Sequence, residues 1–103
     1  MANARRLELH EILCEILGNR NAYYDPPESL VMEYEAIRYK LSKIDTRNAN
    51  NKKYTSMRCY EAILISRDPD PESLEKILQL PYTSAGTPYT ADNLHHYPIT
   101  IYY

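Results

Sequence analysis

Two runs of alternating character, "AIRYKLSKI" and "YTSMRCYEAILISR", constrain this chain more than any other feature. In the first, Ile37, Tyr39 and Leu41 alternate with Arg38, Lys40 and Ser42, the pattern of a strand with one buried and one wet face. In the second, Met57, Cys59, Glu61, Ile63 and Ile65 share one face, and Arg58, Tyr60, Ala62 and Leu64 the other. The polar stretch "DTRNANNKK" joins them, so the pair reads as an antiparallel hairpin. Its loop is longer than hairpins usually need, which in general marks a mobile or partner-contacting element.

The flanking segments supply helices and more strand. "NARRLELHEILCEILGNRN" places Leu9, Ile12, Leu13, Ile16 and Leu17 on one stripe, with Glu8, Glu11 and Glu15 off it. Asn3 is read as the N-cap and Gly18 as the glycine that ends the helix. His10 falls on or near the solvent face, with no partner for a ligand role. "AYY" suits a short strand, which Pro26 and Pro27 end. "DPDPESLEKILQLP" starts a second helix, with Asp70 as cap, Pro71 at the first helical position and Glu72 at the positive end of the dipole. Leu74, Ile77 and Leu78 form its buried stripe, and Pro81 closes it.

After it come "TPYT" and "YPITIYY", separated by "ADNLHH" and read as a second β pair. Ile99, Ile101 and Tyr103 face one way, Thr100 and Tyr102 the other. The order helix, strands, helix, strands predicts an α+β fold: an antiparallel β-sheet with two α-helices packed on it. At 103 residues the chain has room for one core, hence a single domain over residues 1–103.

Composition matters in three places. Hydrophobic residues at 44% and charged residues at 25% are those of a folded protein, and a net charge of −2 gives no global basic field. Eleven Tyr with no Phe or Trp means that tyrosine takes over the core work of Phe, while its polar tip also suits interfaces. Cys14 and Cys59 form no CxxC pair and are expected as reduced, buried thiols. The N-terminal "MANARRLELH" has no apolar signal core and no stretch approaches a membrane span, so a soluble protein without a secretion signal is expected.

Chemistry finds little to work with. Adjacent His95 and His96 on a strand point to opposite faces, so they do not share a metal, and "ADN" reads as a turn. Cys59 lies mid-strand among apolar neighbours, where burial raises a thiol pKa and leaves it inert. Gly18 and Gly86 are the only glycines, too few for a phosphate-cradling loop. No catalytic residue, metal ligand or cofactor site is assigned.

The stretches "AYYDPPESLVMEYEAIRYKL", "TRNANNKKY", "CYEAILISRDPDPESLEKILQLP" and "YTADNLHHYPITIYY" resemble, in this order, a family of small virion proteins from phages and prophages of bacteria. Typical forms there are Tyr-x-Pro-Pro, Ala-Asp-Asn-x-x-Tyr, Asp-x-Asp-Pro-Asp-Ser, and Tyr-Thr-x-Asp-Asn-Leu-x-His before a terminal Tyr-Tyr. The likeness runs over nearly the whole chain; "DPDPES" and "YTADNLHH" are its most specific parts. The chain departs from the pattern in "NANN", in the less polar "YEAILIS", and at Tyr82 and Thr83, where Pro-x-Cys is frequent.

The family lies among head–tail connector and tail genes. The resemblance therefore implies a neck protein, a tail terminator or tail-completion protein, that forms a hexameric ring capping the tail tube and docking it to the head. It implies the tail tube protein and head-side connector or adaptor proteins as partners, DNA passing through the ring without specific binding, no membrane, and a place in the virion after assembly in the host cytoplasm. The expected subunit or partner interface is Tyr89, Asp92, Asn93, Leu94 and His95; the expected channel or partner loop is Arg47, Asn48, Asn50, Asn51, Lys52 and Lys53. A head-completion or adaptor ring, or a small nucleic-acid-binding regulator, are the alternatives. The Tyr-rich last strand is expected to pair within its own sheet, leaving outward tyrosines for partners.

Overall fold

The computed structural model describes residues 4–49 and 52–103. In chain order the elements are α1 (Ala4–Leu17), β1 (Ala22–Tyr24), β2 (Ala36–Ala49), β3 (Lys52–Ser66), α2 (Glu72–Leu78), β4 (Thr83–Ala85), β5 (Tyr89–Ala91) and β6 (Leu94–Tyr102). The sheet runs β1-β2-β3-β6-β4, with β5 also on β6; every pairing is antiparallel except β1 with β2. This is an α+β fold, with both helices contributing to the core on one side of the sheet.

Alternation builds that core in cross-strand rows. Ile37 lies opposite Leu64, and Leu64 opposite Tyr97; Tyr39, Ala62 and Ile99 make the next row; Leu41, Tyr60 and Ile101 the third. All but Leu41 are buried, and Leu9, Leu13 and Cys14 of α1 and Ile77 of α2 complete the cluster. Each aliphatic side chain fully removed from water contributes about 1.5–3 kcal/mol. Ile16 and Leu17 lie half-buried on this cluster, whereas Ile12, expected with them, is half-buried outside it. Gly18 ends α1 at φ +74, its N–H donating to Cys14 O at 2.9 Å, as a helix-ending glycine should. Asn3, expected as the cap, lies outside the described residues. Both cysteines are free and buried.

Four expectations need correction. The polar stretch is not a long loop: β2 continues to Ala49 and β3 resumes at Lys52, so Arg47, Asn48, Lys52 and Lys53 are strand residues, while Asn50 and Asn51 lie outside the described residues. A ladder needs only backbone groups, and a stretch without Gly or Pro can supply them whatever its polarity. Second, α2 begins at Glu72 behind Pro71, with no side-chain cap; the Asp70 N–H is instead taken by Asp68 Oδ1 at 2.9 Å. Third, a seven-residue helix shows the core only one narrow stripe; Ser73 and Ile77 are buried in it and Leu74 packs half-buried against it, leaving Leu78 36% exposed. Fourth, β4 was not expected; the outer edge of β6 recruits it, Thr83 opposite Ile101 and Ala85 opposite Ile99.

A polar knot joins the elements at one end. Ser66 Oγ, at the end of β3, donates to Glu35 Oε2 at 3.0 Å, and Ser73 Oγ of α2 donates to Glu35 Oε1. The amides of Asn19 and Asn21 donate to the Glu35 carbonyl at 3.4 and 3.3 Å. The Tyr97 hydroxyl donates to Pro69 O at 2.6 Å, and burial together with Asp70 and Asp68 pushes its pKa up.

Candidate functional site

β6 sits between neighbours on both edges for most of its length. β3 pairs along one edge from Cys59–Tyr102 to Ser66–His95; β5 and β4 share the other. The terminal strand thus pairs within its own sheet, and its outer edge is held by the three-residue strands β5 and β4. Short edge strands are the usual way a sheet blunts an otherwise adhesive border.

The expected interface residues form the β5–β6 hairpin. Asp92 and Asn93 have φ 53 and 63, the two left-handed residues of a two-residue turn that Asp and Asn tolerate best. Tyr89 is 47% exposed and stacks on His96 across the strands, ring centroids 4.8 Å apart and 11° from parallel. His96 Nδ1 lies 3.1 Å from Leu94 O and therefore donates to it. His95 is half-buried on the other face, Nδ1 3.5 Å from Thr90 Oγ1. The two imidazoles are consequently held apart. Among the described residues no group of three His, Cys, Asp or Glu converges as a metal site would require.

The expected channel residues belong to a projecting ribbon. β6 stops pairing at Cys59, and β1 covers only Ile37 to Tyr39 of β2. Beyond them, residues 43–49 pair with residues 52–59, and past Arg58, whose carbonyl still accepts from the Tyr103 N–H at 2.9 Å, no third strand joins them among the described residues. Seven residues of strand rise about 23 Å, and the molecule measures 51 × 28 × 22 Å. The β5–β6 turn lies beside the Ser66 end of β3 and the ribbon tip at the Lys52 end. At about 3.3 Å per residue those ends are on the order of 45 Å apart. The two sets of candidate residues are therefore brought to opposite poles, not together.

Beneath the ribbon's root lies an aromatic cluster that sequence reasoning did not single out. Tyr24, Tyr39 and Tyr60 meet with centroid separations of 5.1, 6.0 and 6.5 Å, and the Arg6 guanidinium lies 4.2 Å above the Tyr24 ring. His10, expected near solvent, is half-buried here, Nδ1 2.8 Å from the Tyr39 hydroxyl. Burial lowers its pKa first, then the Arg20 and Arg6 charges, with Glu11 opposing. Burial raises the pKa of Tyr39 and Tyr60, against the pull of Arg6 on the one and Arg58 on the other. The chain end docks nearby: the Tyr103 hydroxyl donates to Glu8 Oε2 at 3.2 Å, and Arg5 lies 4.7 Å from its ring centre. The signal for this cluster was the crowding of tyrosines at inward strand positions, which alternation reveals only after pairing is known.

On the other face, Asp25, Pro26, Arg38, Lys40, Glu61 and Ile63 line a shallow open depression of ≈ 190 Å³, with Lys40 Nζ 3.8 Å from Glu61 Oε2. It is smaller than the roughly 300–1,000 Å³ of small-molecule sites. No helix among the described residues is long and apolar enough to cross a membrane. No protein-family model matches the chain, and no curated protein or solved structure matches it either.

Proposed function

We propose that this chain is a structural protein of a tailed phage or prophage virion, a tail terminator or tail-completion subunit that assembles into a ring closing the tail tube and joining it to the head. The observation that carries the reading, beside the sequence resemblance, is the bipolar layout: an exposed Tyr89 hairpin with the Asp92–Asn93 turn at one pole, and a two-stranded ribbon at the other. A ring needs two different surfaces per subunit, since head-to-tail contacts repeat until they close. A chain with all its contact residues at one spot would make a twofold pair instead.

Electron microscopy of a lysate from phage carrying a nonsense codon in this gene tests the proposal. Free tails of irregular or excessive length beside DNA-filled heads are expected. Normal-length tails beside heads that have lost DNA would move the protein to the head side of the neck. Intact, infectious particles would end the virion reading.

A further inference from the structure

Exposed apolar side chains gather at two places that the sheet sets on opposite edges. β1 and β4 end the strand order, four spacings or about 19 Å apart. At the β1 edge, residues 25–35 link the parallel strands β1 and β2 without a helix, and within that link Leu30 is exposed and Val31 is 89% exposed. At the β4 edge, exposed Leu78 ends α2, and Tyr82, directly before β4, is 72% exposed. We infer that these are the two halves of one contact between copies of this chain: Leu30 and Val31 of one copy dock against Tyr82 and Leu78 of the next. The inference rests on the ring reading for its choice of partner, and it adds a lateral contact, across the strands, to the two poles that lie along them.

Both patches are held in place before any contact. In the link, the Asp25 N–H donates to Tyr39 O at 2.7 Å, the Leu30 N–H to Pro27 O at 3.0 Å and the Glu33 N–H to the Tyr23 hydroxyl at 3.4 Å. Pro26 and Pro27 fix their own φ besides. Tyr82 has φ 61, a conformation that glycine takes freely and a bulky side chain rarely. The Tyr102 N–H donates to its carbonyl at 3.1 Å, and the Thr83 hydroxyl to Leu80 O at 3.0 Å, so the turn is pinned in that strained form with the ring in water. Groups ordered in advance lose little freedom on association.

Charge makes the two patches complementary. From Asn21 to Ile37 the chain carries Asp25, Glu28, Glu33 and Glu35 and no Lys or Arg, whereas from Lys76 to Ala91 it carries Lys76 and no acid. The acids of α2, Glu72 and Glu75, stand in its first turn and Lys76 in its last. A twofold pairing of the link would set acid against acid. Joining the unlike patches avoids that and repeats from copy to copy, as a head-to-tail contact must. A different protein is the competing occupant, but both halves lie on one chain and on opposite edges of it.

Cysteine pairs read the contact directly, because Cys14 and Cys59 are buried. Chains with Val31→Cys are mixed at high concentration with differently tagged chains with Tyr82→Cys, and treated with a short bismaleimide. A mixed cross-linked dimer is expected well above the yield from wild type or from either variant alone, and one chain with both cysteines should give a series of multimers. Glu28→Lys with Glu33→Lys should lower the mixed yield. Tyr82→Gly suits the turn and should melt no lower than wild type, yet weaken self-association in sedimentation about tenfold, as loss of an interface aromatic does. Either cysteine variant cross-linking to itself as well as to the other, no mixed cross-link above wild type, or wild-type association by folded Tyr82→Gly would each overturn the proposal. Oligomers that persist without the mixed cross-link would overturn these surfaces and leave the ring reading standing. A mixed cross-link in a protein that the lysate microscopy excludes from the virion would support the contact and end that reading.

Discussion

One hairpin contains two regions that obey different physics. Residues 36–42 and 59–66 lie between β1 and β6 and beneath the helices, and Tyr60 and Leu64 there are 0% exposed. Residues 45–49 and 52–57 continue the same strands with no third neighbour among the described residues, and Ile44 beside them is 53% exposed. The backbone pairing is shared; the burial is not. Near its root the hairpin is stabilised by removing apolar area from water, and along its arm by ladder hydrogen bonds, each worth on the order of 1 kcal/mol net. The root should therefore govern stability, and the arm should be free to serve contacts.

The largest effect should come from removing residues 98–103. That truncation takes away Ile99 and Ile101, both buried, most of the β6 ladder to β3 and the whole of its ladder to β4. Against a total stability of about 5–15 kcal/mol, loss of the cooperative fold is expected by circular dichroism and thermal melting. A truncated chain that still melted cooperatively would break the comparison, because β6 would then be dispensable to the root. Next, Leu13→Ala, at a residue with 0% exposure, should cost about 2–5 kcal/mol in urea unfolding. Ile44→Ala on the arm should stay within about 0.5 kcal/mol. Equal costs would mean that the arm is packed, not bare.

A smaller effect sharpens the same contrast at the opposite pole. Glu35→Ala leaves the hydroxyls of Ser66 and Ser73, in residues 2% and 7% exposed, without their acceptor. A buried polar group left unpaired costs about 1–3 kcal/mol. Removing all three polar partners together (Glu35→Ala, Ser66→Ala, Ser73→Ala) should recover part of that loss. A triple variant no better than the single would show that Glu35 acts through something other than these two bonds.

What could be read before the structure follows from range. The α+β class was legible because α1, β2, β3 and β6 carry their periodicity within the element, and Leu9, Leu13, Tyr39, Ala62 and Ile99 announce a buried face locally. The Asp92–Asn93 turn was legible for the same reason, since its left-handed residues select their own side chains. The arm was misread because polarity was taken as loop, although a ladder is made by backbone groups and tolerates polar side chains. β4 has three residues and no alternation to show; its existence depends on Ile99 and Ile101 across the edge. The Glu35 knot joins residues 31 and 38 positions apart, and no pattern within a segment encodes that. The separation of the two sets of candidate residues was not legible, because it follows from β3 running the full length of the sheet.

The subtlest prediction concerns His10, which sits where root and arm meet the helix. Its pKa is lowered from 6.5 by burial, then by Arg20 and Arg6, with Glu11 partly opposing, and its Nδ1 is bonded to the Tyr39 hydroxyl. The folded state therefore prefers the neutral imidazole, while the unfolded chain takes up a proton nearer the ordinary value. Above 6.5 neither state is protonated and the contribution is fully present; as pH falls through the lowered folded value it is lost. Urea midpoints measured between about pH 8 and pH 5 should decline on the acid side, and His10→Gln should flatten that decline while leaving the alkaline plateau little changed. Titrating carboxylates contribute equally to both proteins in this window, so the difference between the two curves isolates the imidazole. A difference curve of the opposite slope would mean that Glu11 outweighs burial and the two arginines, making the helix-facing side of the root more polar than its aromatic packing implies.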